Sequence, residues 1–201
     1  MTPVAPSAIR HLIVDHHYLH SMPAATWRCF GVFVEDVLSG AVLFTAGPRH
    51  GHRLLVGARP QQVAVLARLW LHDDLPKNAE SRVIGIVMRH VRREQAWKLV
   101  LSYADPAVGH TGTVYRASGW LYLGQGQPGT YIDLGDGIAR HPRTVYGTHG
   151  ANGIGHLRRT GVPAQRRVVG GKHRYAYVLD PTWRWRLRVL PVAFPKTGAT
   201  P

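Results

Sequence analysis

Apolar and polar positions alternate along several stretches of the chain, and elsewhere repeat at helical spacing. Residues 29–34 and 41–46 are short apolar runs, and Glu35, Asp36, Ser39 and Gly40 between them supply turn chemistry, which predicts a β-hairpin. Over residues 63–71, Ala67, Leu69 and Leu71 alternate with Arg68, Trp70 and His72, so a strand is favoured over the helix that Val63, Leu66 and Trp70 would also allow. Asp73-Asp74-Leu75-Pro76 ends that strand. Ile84, Val87 and Val91 then recur at helical spacing. With Asn78 as N-cap, Glu80 in the first turn and Arg89, Arg92 and Arg93 near the end, they predict a helix over residues 79–94. Residues 99–103 read as a short strand of the kind buried in a parallel sheet, broken by Asp105-Pro106. Residues 111–118 suit a short helix stopped by Gly119, and residues 120–123 a following strand.

The flanks are less regular. Residues 1–10 read as a loose entry, and Met22-Pro23 should end any helix running through residues 12–20. Residues 47–57 form a basic, glycine-rich loop; 124–137 are loop-rich apart from 130–134; 140–162 show little periodicity. Residues 166–169 and 173–179 could pair across Gly170-Gly171. Residues 183–190 alternate as a strand, with Trp185, Leu187 and Val189 on one face and Arg184, Arg186 and Arg188 on the other, and 191–201 read as a loose tail. The order of elements predicts one α/β (α+β) domain over 1–201, a central mixed sheet flanked by helices, with 125–190 as basic C-terminal strands and loops.

Composition narrows the partner. The formal net charge is +14 at pH 7 with 25 Lys+Arg against 11 Asp+Glu, which favours a polyanion. The excess is uneven: residues 101–201 hold 13 basic and 4 acidic residues, against 12 and 7 in residues 1–100. Arg158, Arg159, Arg166, Arg167, Lys172, Arg174, Arg184, Arg186 and Arg188 are therefore the expected contacts to a nucleic-acid backbone. Trp183, beside the last three, could stack a base. The single Cys29 excludes an internal disulfide and a cysteine-based zinc cluster. No signal-like start or long apolar run is present, so secretion and membrane spanning are not expected.

Four places could carry chemistry. Tyr103 and Asp105 follow a buried strand, where α/β sheets bind ligands; Asp105 could act as a base and Tyr103 as a donor to a developing oxyanion, or the two could be a capping carboxylate and an ordinary half-buried phenol. His110, Thr111 and Gly112 could present backbone amides to an anion, or form a plain glycine turn. Lys77, Asn78, Glu80, Ser81 and Arg82 at a helix start could grip a phosphate or carbonyl, or simply cap. His16, His17 and His20 could hold a metal, or be ordinary hydrogen-bonding histidines.

Four blocks together resemble the Mom family of phage DNA-modification proteins. They are His16-His17-Tyr18-Leu19-His20-Ser21-Met22-Pro23, Leu75-Pro76-Lys77-Asn78-Ala79-Glu80-Ser81-Arg82, Tyr103-Ala104-Asp105 running into Gly109-His110-Thr111-Gly112, and Tyr115-Arg116-Ala117-Ser118-Gly119-Trp120. They lie within residues 12–124. The resemblance implies a GNAT-like acyltransferase fold for that span and conversion of adenine in double-stranded DNA to N6-carbamoylmethyladenine, which hides phage DNA from host restriction. It implies a donor, for which an acyl-CoA and a glycine-derived molecule such as glycyl-tRNA are candidates, with iron as a candidate cofactor, and work in the cytoplasm of the infected host cell. A homodimer is among the partners considered. The usual acyl-CoA loop has closely spaced glycines before the main helix, and residues 77–85 lack them. On this reading Asp105 manages the N6 proton, Tyr103, Tyr115, Ser118 and His20 assist catalysis, and Trp120 (or Tyr103) stacks the flipped base. Lys77, Asn78, Glu80, Ser81, Arg82, His110, Thr111 and Gly112 hold the donor. Two other readings fit the same residues: a GNAT-like N-acyltransferase acting on a protein, tRNA or small amine, and a non-catalytic basic DNA-binding protein.

Overall fold

The computed structural model describes residues 1–23 and 25–195. Two compact units emerge. Unit 1 takes Met1–Ala104, Thr111–Gly124 and the described chain from Arg174 onward; unit 2 takes Asp105–His110 and Gln125–His173. In chain order the strands are β1 (Thr2–Pro3), β2 (Thr26–Val34), β3 (Val37–Ala46), β4 (Val63–Leu71), β5 (Leu99–Ala104), β6 (Leu121–Gln125), β7 (Gly129–Asp133), β8 (Ala139–Arg140), β9 (Gln165–Val169) and β10 (His173–Val178). The helices are α1 (Pro6–His11), α2 (Ala79–Glu94), α3 (Thr113–Ala117), α4 (Pro142–His149) and α5 (Ile154–Arg159).

Unit 1 is built on a seven-stranded sheet in the order β1-β2-β3-β4-β5-β10-β6. The expected hairpin is β2-β3, turned by Glu35 and Asp36 alone, both left-handed, so that Val34 pairs with Val37 and Ser39 and Gly40 lie within β3. β3 and β4 are antiparallel, whereas β4 and β5, joined through α2, are parallel, so the sheet is mixed and helix-flanked as expected. Gly40 is fixed by close approach: a Cβ there would stand 2.8 Å from the Trp70 carbonyl oxygen.

Strand alternation sends Phe30, Val42, Phe44, Ala64, Leu66 and Val100 to one face, where Val83, Ile84, Val87, Met88 and Val91 of α2 bury them. The opposite face is covered in two patches. Ile9, Leu12 and Ile13, from α1 and the wider π-type turn that continues it (Leu12–His16), pack on Cys29, Ala41 and Leu43. Leu55, with Trp183 and Leu187 beside it, packs on Val63, Leu99 and Leu101.

The N-terminus therefore departs from the loose entry expected: Thr2 and Pro3 pair with β2, and Pro6 starts α1, its fixed φ suiting the first helical turn. α2 has the expected bounds but not the expected cap. Asn78 is left-handed (φ 66°) and its side chain caps nothing; Ser81 Oγ instead donates to the Asn78 carbonyl at 3.0 Å. The tight turn that returns the Ala79 amide to Pro76 O makes the chain enter the helix through a left-handed residue, which Asn tolerates. In the tail, the Val192 amide donates to Tyr122 O at 2.9 Å and Phe194 packs on Tyr122 and Tyr175, so residues 191–195 are pinned rather than loose; 196–201 lie outside the described residues.

Unit 2 holds the three-stranded sheet β8-β7-β9 with α4 and α5, around a small core of Ile132, Val145, Leu157 and Ala164. The two helices lie where no periodicity was expected, because each buries only one clear apolar anchor, Val145 or Leu157. β9 pairs with β7, not with β10, which corrects the hairpin expected across Gly170-Gly171. Residues 183–190 are likewise not a strand. Pro181–Arg186 is a 3₁₀ turn, with Asp180 accepting the Thr182 amide at 3.0 Å, and only Leu187 forms a bridge, to Leu55. Pro181 at the first turn position sets the 3₁₀ start against the alternating pattern.

Candidate active site

The site begins where two parallel strands part. β4 and β5 pair only through Val63↔Leu99, Ala64↔Val100 and Val65↔Leu101, although both continue beyond. The next position on each strand is Leu66 and Ser102. There the Ser102 hydroxyl donates to the Leu66 carbonyl at 2.9 Å, replacing the backbone bond the ladder no longer supplies. Carboxyl ends of diverging parallel strands are where open α/β sheets take ligands. The α2 start and α3 lie on the connections that leave these ends.

A hydroxyl relay fills the fork. Tyr115, on α3, stands 2.7 Å from Ser102 Oγ. Ser102 has one proton and gives it to Leu66, so Tyr115 is the donor in that bond and keeps its oxygen lone pairs as acceptors. Burial pushes the Tyr115 phenol up to about 12, against a smaller opposing pull from the Ser102 bond, with nearby Tyr18 adding to the rise. It is thus a protonated donor at neutral pH, not a phenolate. Tyr18 also acts electrostatically on Arg68, whose guanidinium is lowered by burial and bonds to the Ser21 carbonyl at 3.2 Å. The His16–Met22 block, β4, β5 and α3 therefore converge here.

Tyr103, the next residue on β5, is 37% exposed; burial raises its phenol and the charge of Arg174 lowers it. Around Tyr115, Tyr175 and Trp120 pack as tilted rings with centroids at 4.9 and 5.1 Å. Tyr175 donates to the Thr111 carbonyl, and burial pushes it up to about 12.

Several expected roles change on this geometry. Trp120 is 2% exposed and wedged between Tyr115 and Tyr177, so it is a core ring and not a base-stacking surface. Ser118 Oγ donates to Val114 O at 2.6 Å, closing the α3 end. His16, His17 and His20 do not converge. His16 stacks on Trp70, His17 Nδ1 accepts the Leu19 amide at 3.1 Å, and His20 Nδ1 donates to Val14 O at 3.0 Å. Among the described residues no group of three His, Cys, Asp or Glu side chains is gathered, so the three histidines do not form the metal site expected of them.

The expected donor-binding residues are divided. Lys77, Asn78, Glu80 and Arg82 are exposed at the α2 start, with Ser81 half-buried. Thr111 and Gly112 line a shallow hollow with Thr113, Arg116, Phe194 and Pro195. Gly112 is required there: its φ is +76° and a Cβ would collide with the Tyr175 ring.

Within unit 2, Asp105 accepts the Ala107 amide at 3.0 Å through one oxygen and pairs with Lys172 Nζ at 2.9 Å through the other. The His110 amide donates to the Asp105 carbonyl at 3.1 Å. Lys172 is thereby an ion-pair partner before it is a DNA contact. Arg158 donates to Ala164 O at 2.7 Å and Arg167 to Gly137 O, whereas Arg143, Arg159 and Arg166 are exposed. In unit 1, Arg174 is half-buried on β10 and donates to Leu123 O at 2.8 Å, so it serves the sheet and Tyr103 and not the outer surface. Among the described residues no helix is long and apolar enough to cross a membrane.

Ser102, Arg68 and Tyr18 were not singled out as site residues from sequence. The available signals were a lone hydroxyl inside an apolar strand, a charge on the alternating strand β4, and an aromatic residue inside the first of the four blocks.

Comparison with known proteins adds identity. The Mom protein family matches residues 1–196. The methylcarbamoylase Mom of Escherichia phage Mu is 30% identical over 174 residues, covering 84% of this chain and 70% of that protein. Among solved structures, the acetyltransferase from Salmonella typhimurium that modifies the N-terminal serine of ribosomal protein L7/L12 is 11% identical, with a TM-score of 0.46 over 88% of this chain and 77% of that one. The ribosomal-protein-S5-alanine acetyltransferase from Vibrio fischeri is 12% identical, with a TM-score of 0.44 over 86% and 69%. Likenesses of that size say nothing about substrate or mechanism. The match along nearly the whole sequence and the phage relative are decisive: the chain belongs to the Mom protein family.

Proposed function

We propose that this protein converts the exocyclic N6 amine of adenine in double-stranded DNA to N6-carbamoylmethyladenine, protecting the DNA from restriction. The observation that carries the reading is the family match over residues 1–196, with a methylcarbamoylase as relative. The fork between β4 and β5 supports it by placing a pair of hydrogen-bonded hydroxyls where the two parallel strands part. The net charge of +14 supports a nucleic-acid substrate.

Adenine N6 is a weak nucleophile inside a base pair, so the base must leave the stack before it reacts. A carbon–nitrogen bond then forms between N6 and the methylene carbon of the incoming carbamoylmethyl group as that carbon's bond to the rest of the donor breaks; the leaving group departs with the bonding electrons, and N6 gives up one proton. Tyr115 holds its proton firmly in the bond to Ser102, which fixes its phenol oxygen as an acceptor and suits it to orient a hydrogen-bond donor group of the incoming molecule. Tyr103 is exposed enough to contact the substrate. The α2 start, with Lys77, Ser81 and Arg82, presents first-turn amides and cations to an anionic or carbonyl-bearing donor, which is not identified. Asp105 is the proposed acceptor of the N6 proton.

DNA from cells making the protein, digested to nucleosides and weighed, tests the roles. Tyr115→Phe is expected to cut the modified adenine by roughly tenfold or more. Asp105→Asn is expected to do the same while remaining folded. Near-wild-type modification by Asp105→Asn would remove its proton role and leave it a turn cap.

A further inference from the structure

Three side chains near the C-terminus of unit 1 form a layered stack. The Arg186 guanidinium carbon lies 4.5 Å from the Trp183 ring centroid and 4.9 Å from that of Trp185. Trp183 is the inner layer: it packs against the apolar cluster of Leu55, Leu99 and Leu101 and receives Lys98 Nζ at 5.6 Å. Trp185 is the outer layer and is 76% exposed, the most exposed tryptophan or tyrosine described. The backbone around the stack is anchored, since the Val56 amide donates to Arg186 O and the Arg188 amide to Leu54 O, each at 2.9 Å. A rigid, exposed indole beside a cation is a poor surface feature for a chain facing only water, because its apolar area gains nothing from exposure.

The flanking charges select the partner. Arg184 and Arg188, two residues to either side of Arg186 along the chain, are exposed. Among the described residues no acidic side chain pairs with Arg184, Arg186 or Arg188. Arg186 Nε is buried without a hydrogen-bond partner. Aromatic faces joined to unneutralised arginines match a phosphodiester strand with an accessible base: the π-face takes the base and the cations take phosphates.

We infer that Trp185, backed by Arg186 and Trp183, is a stacking platform for an unpaired base of the DNA substrate, with Arg184 and Arg188 holding adjacent phosphates. The inference rests on the DNA reading proposed above and adds a contact surface to it. A reaction that extrudes adenine leaves unpaired bases in the duplex, and an exposed ring beside the strand would hold one.

Binding of short DNA duplexes, fully paired or carrying one central unpaired adenine, tests it by fluorescence anisotropy. The wild-type protein should prefer the duplex with the unpaired base. Trp185→Ala should lose that preference, about tenfold in affinity, while Trp185→Phe keeps most of it. Arg184→Ala and Arg188→Ala should weaken both duplexes alike and each flatten the salt dependence. Trp185 is exposed, so Trp185→Ala should melt as the wild type does. Full preference retained by Trp185→Ala would overturn the inference, as would tighter, Trp185-dependent binding of an RNA hairpin. Adenine modification is read separately. Normal modification with unchanged Trp185→Ala binding would defeat the platform alone; no modification with Trp185-dependent binding would defeat the enzymatic reading alone.

Discussion

The hydroxyl of Ser102 does more than its size suggests. It closes a gap in the backbone ladder and fixes the orientation of Tyr115. Removing either member tests that order of dependence. Ser102→Ala leaves both the Leu66 carbonyl and the Tyr115 hydroxyl unpartnered in a buried place, a cost of roughly 2–4 kcal/mol, whereas Tyr115→Phe leaves the Ser102–Leu66 bond intact and should cost only about 1 kcal/mol. Urea unfolding of the two variants should therefore rank Ser102→Ala as the less stable; the reverse order would mean the relay runs the other way. Cys29 gives a simpler case. It is 3% exposed and burial pushes its thiol up to about 11, so it stays protonated at pH 8. A disulfide reagent should label it only in denaturant, and fast labelling of the native protein would contradict the packing of α1 on β2.

Elements differ in how plainly the chain announces them. α2 was legible to the residue because its apolar stripe is long and its ends carry suitable charges. The hairpin was legible from its apolar runs and turn residues, and β4 from alternation. β9 and β10 were legible as strands but mispaired, because a Gly-Gly pair between two strand-like runs is a hairpin signal locally, while their partners, β7 for one and β5 and β6 for the other, are distant in sequence. The alternating segment with Arg184, Arg186 and Arg188 failed for a related reason: period two describes side chains, but Pro181 and the Asp180 cap set the backbone into a 3₁₀ turn. Of the candidate site, Tyr103 was visible as a polar residue at the end of a buried strand, and Tyr115 only through the last of the four Mom-like blocks. The fork was not, since strand divergence is a property of pairing that one strand does not encode. Gly112 joins both levels. Gly112→Ala places a side chain at φ +76° against the buried Tyr175 ring, and should destabilise by about 3 kcal/mol with a matching loss of thermal stability. Wild-type melting of that variant would mean the α3 start is free to move.

At the scale of the whole molecule, basic charge is present in both units, but the acids are used differently. Unit 2 has three acidic residues against seven Lys and Arg, and each acid is paired: Asp105 with Lys172, Asp136 with Arg140, Asp133 with Arg167 and Gln165. Hydrogen bonds, first from the Gly135 amide, hold the Asp133 carboxyl below its ordinary value, and the Arg140 side chain holds that of Asp136 at about 2. Depressed carboxylates stabilise the fold fully above their unfolded value near ~4, and that stabilisation is lost as pH falls toward the folded values. Amide exchange in residues 133–140 should thus be constant at neutral pH and open, once corrected for intrinsic rates, between about pH 4 and pH 2; a loop equally protected at pH 2 would contradict this account. The remaining arginines leave the protein as a strong cation whose family assigns it to DNA modification and whose sheet carries a polar fork. The most direct test of that conjunction is the mass of adenine nucleosides from plasmid DNA in cells expressing the protein. The expected product is a deoxyadenosine heavier by one carbamoylmethyl group replacing hydrogen at N6, cut by roughly tenfold or more when Tyr115 is Phe. Unmodified deoxyadenosine throughout, with folded protein present, would contradict it.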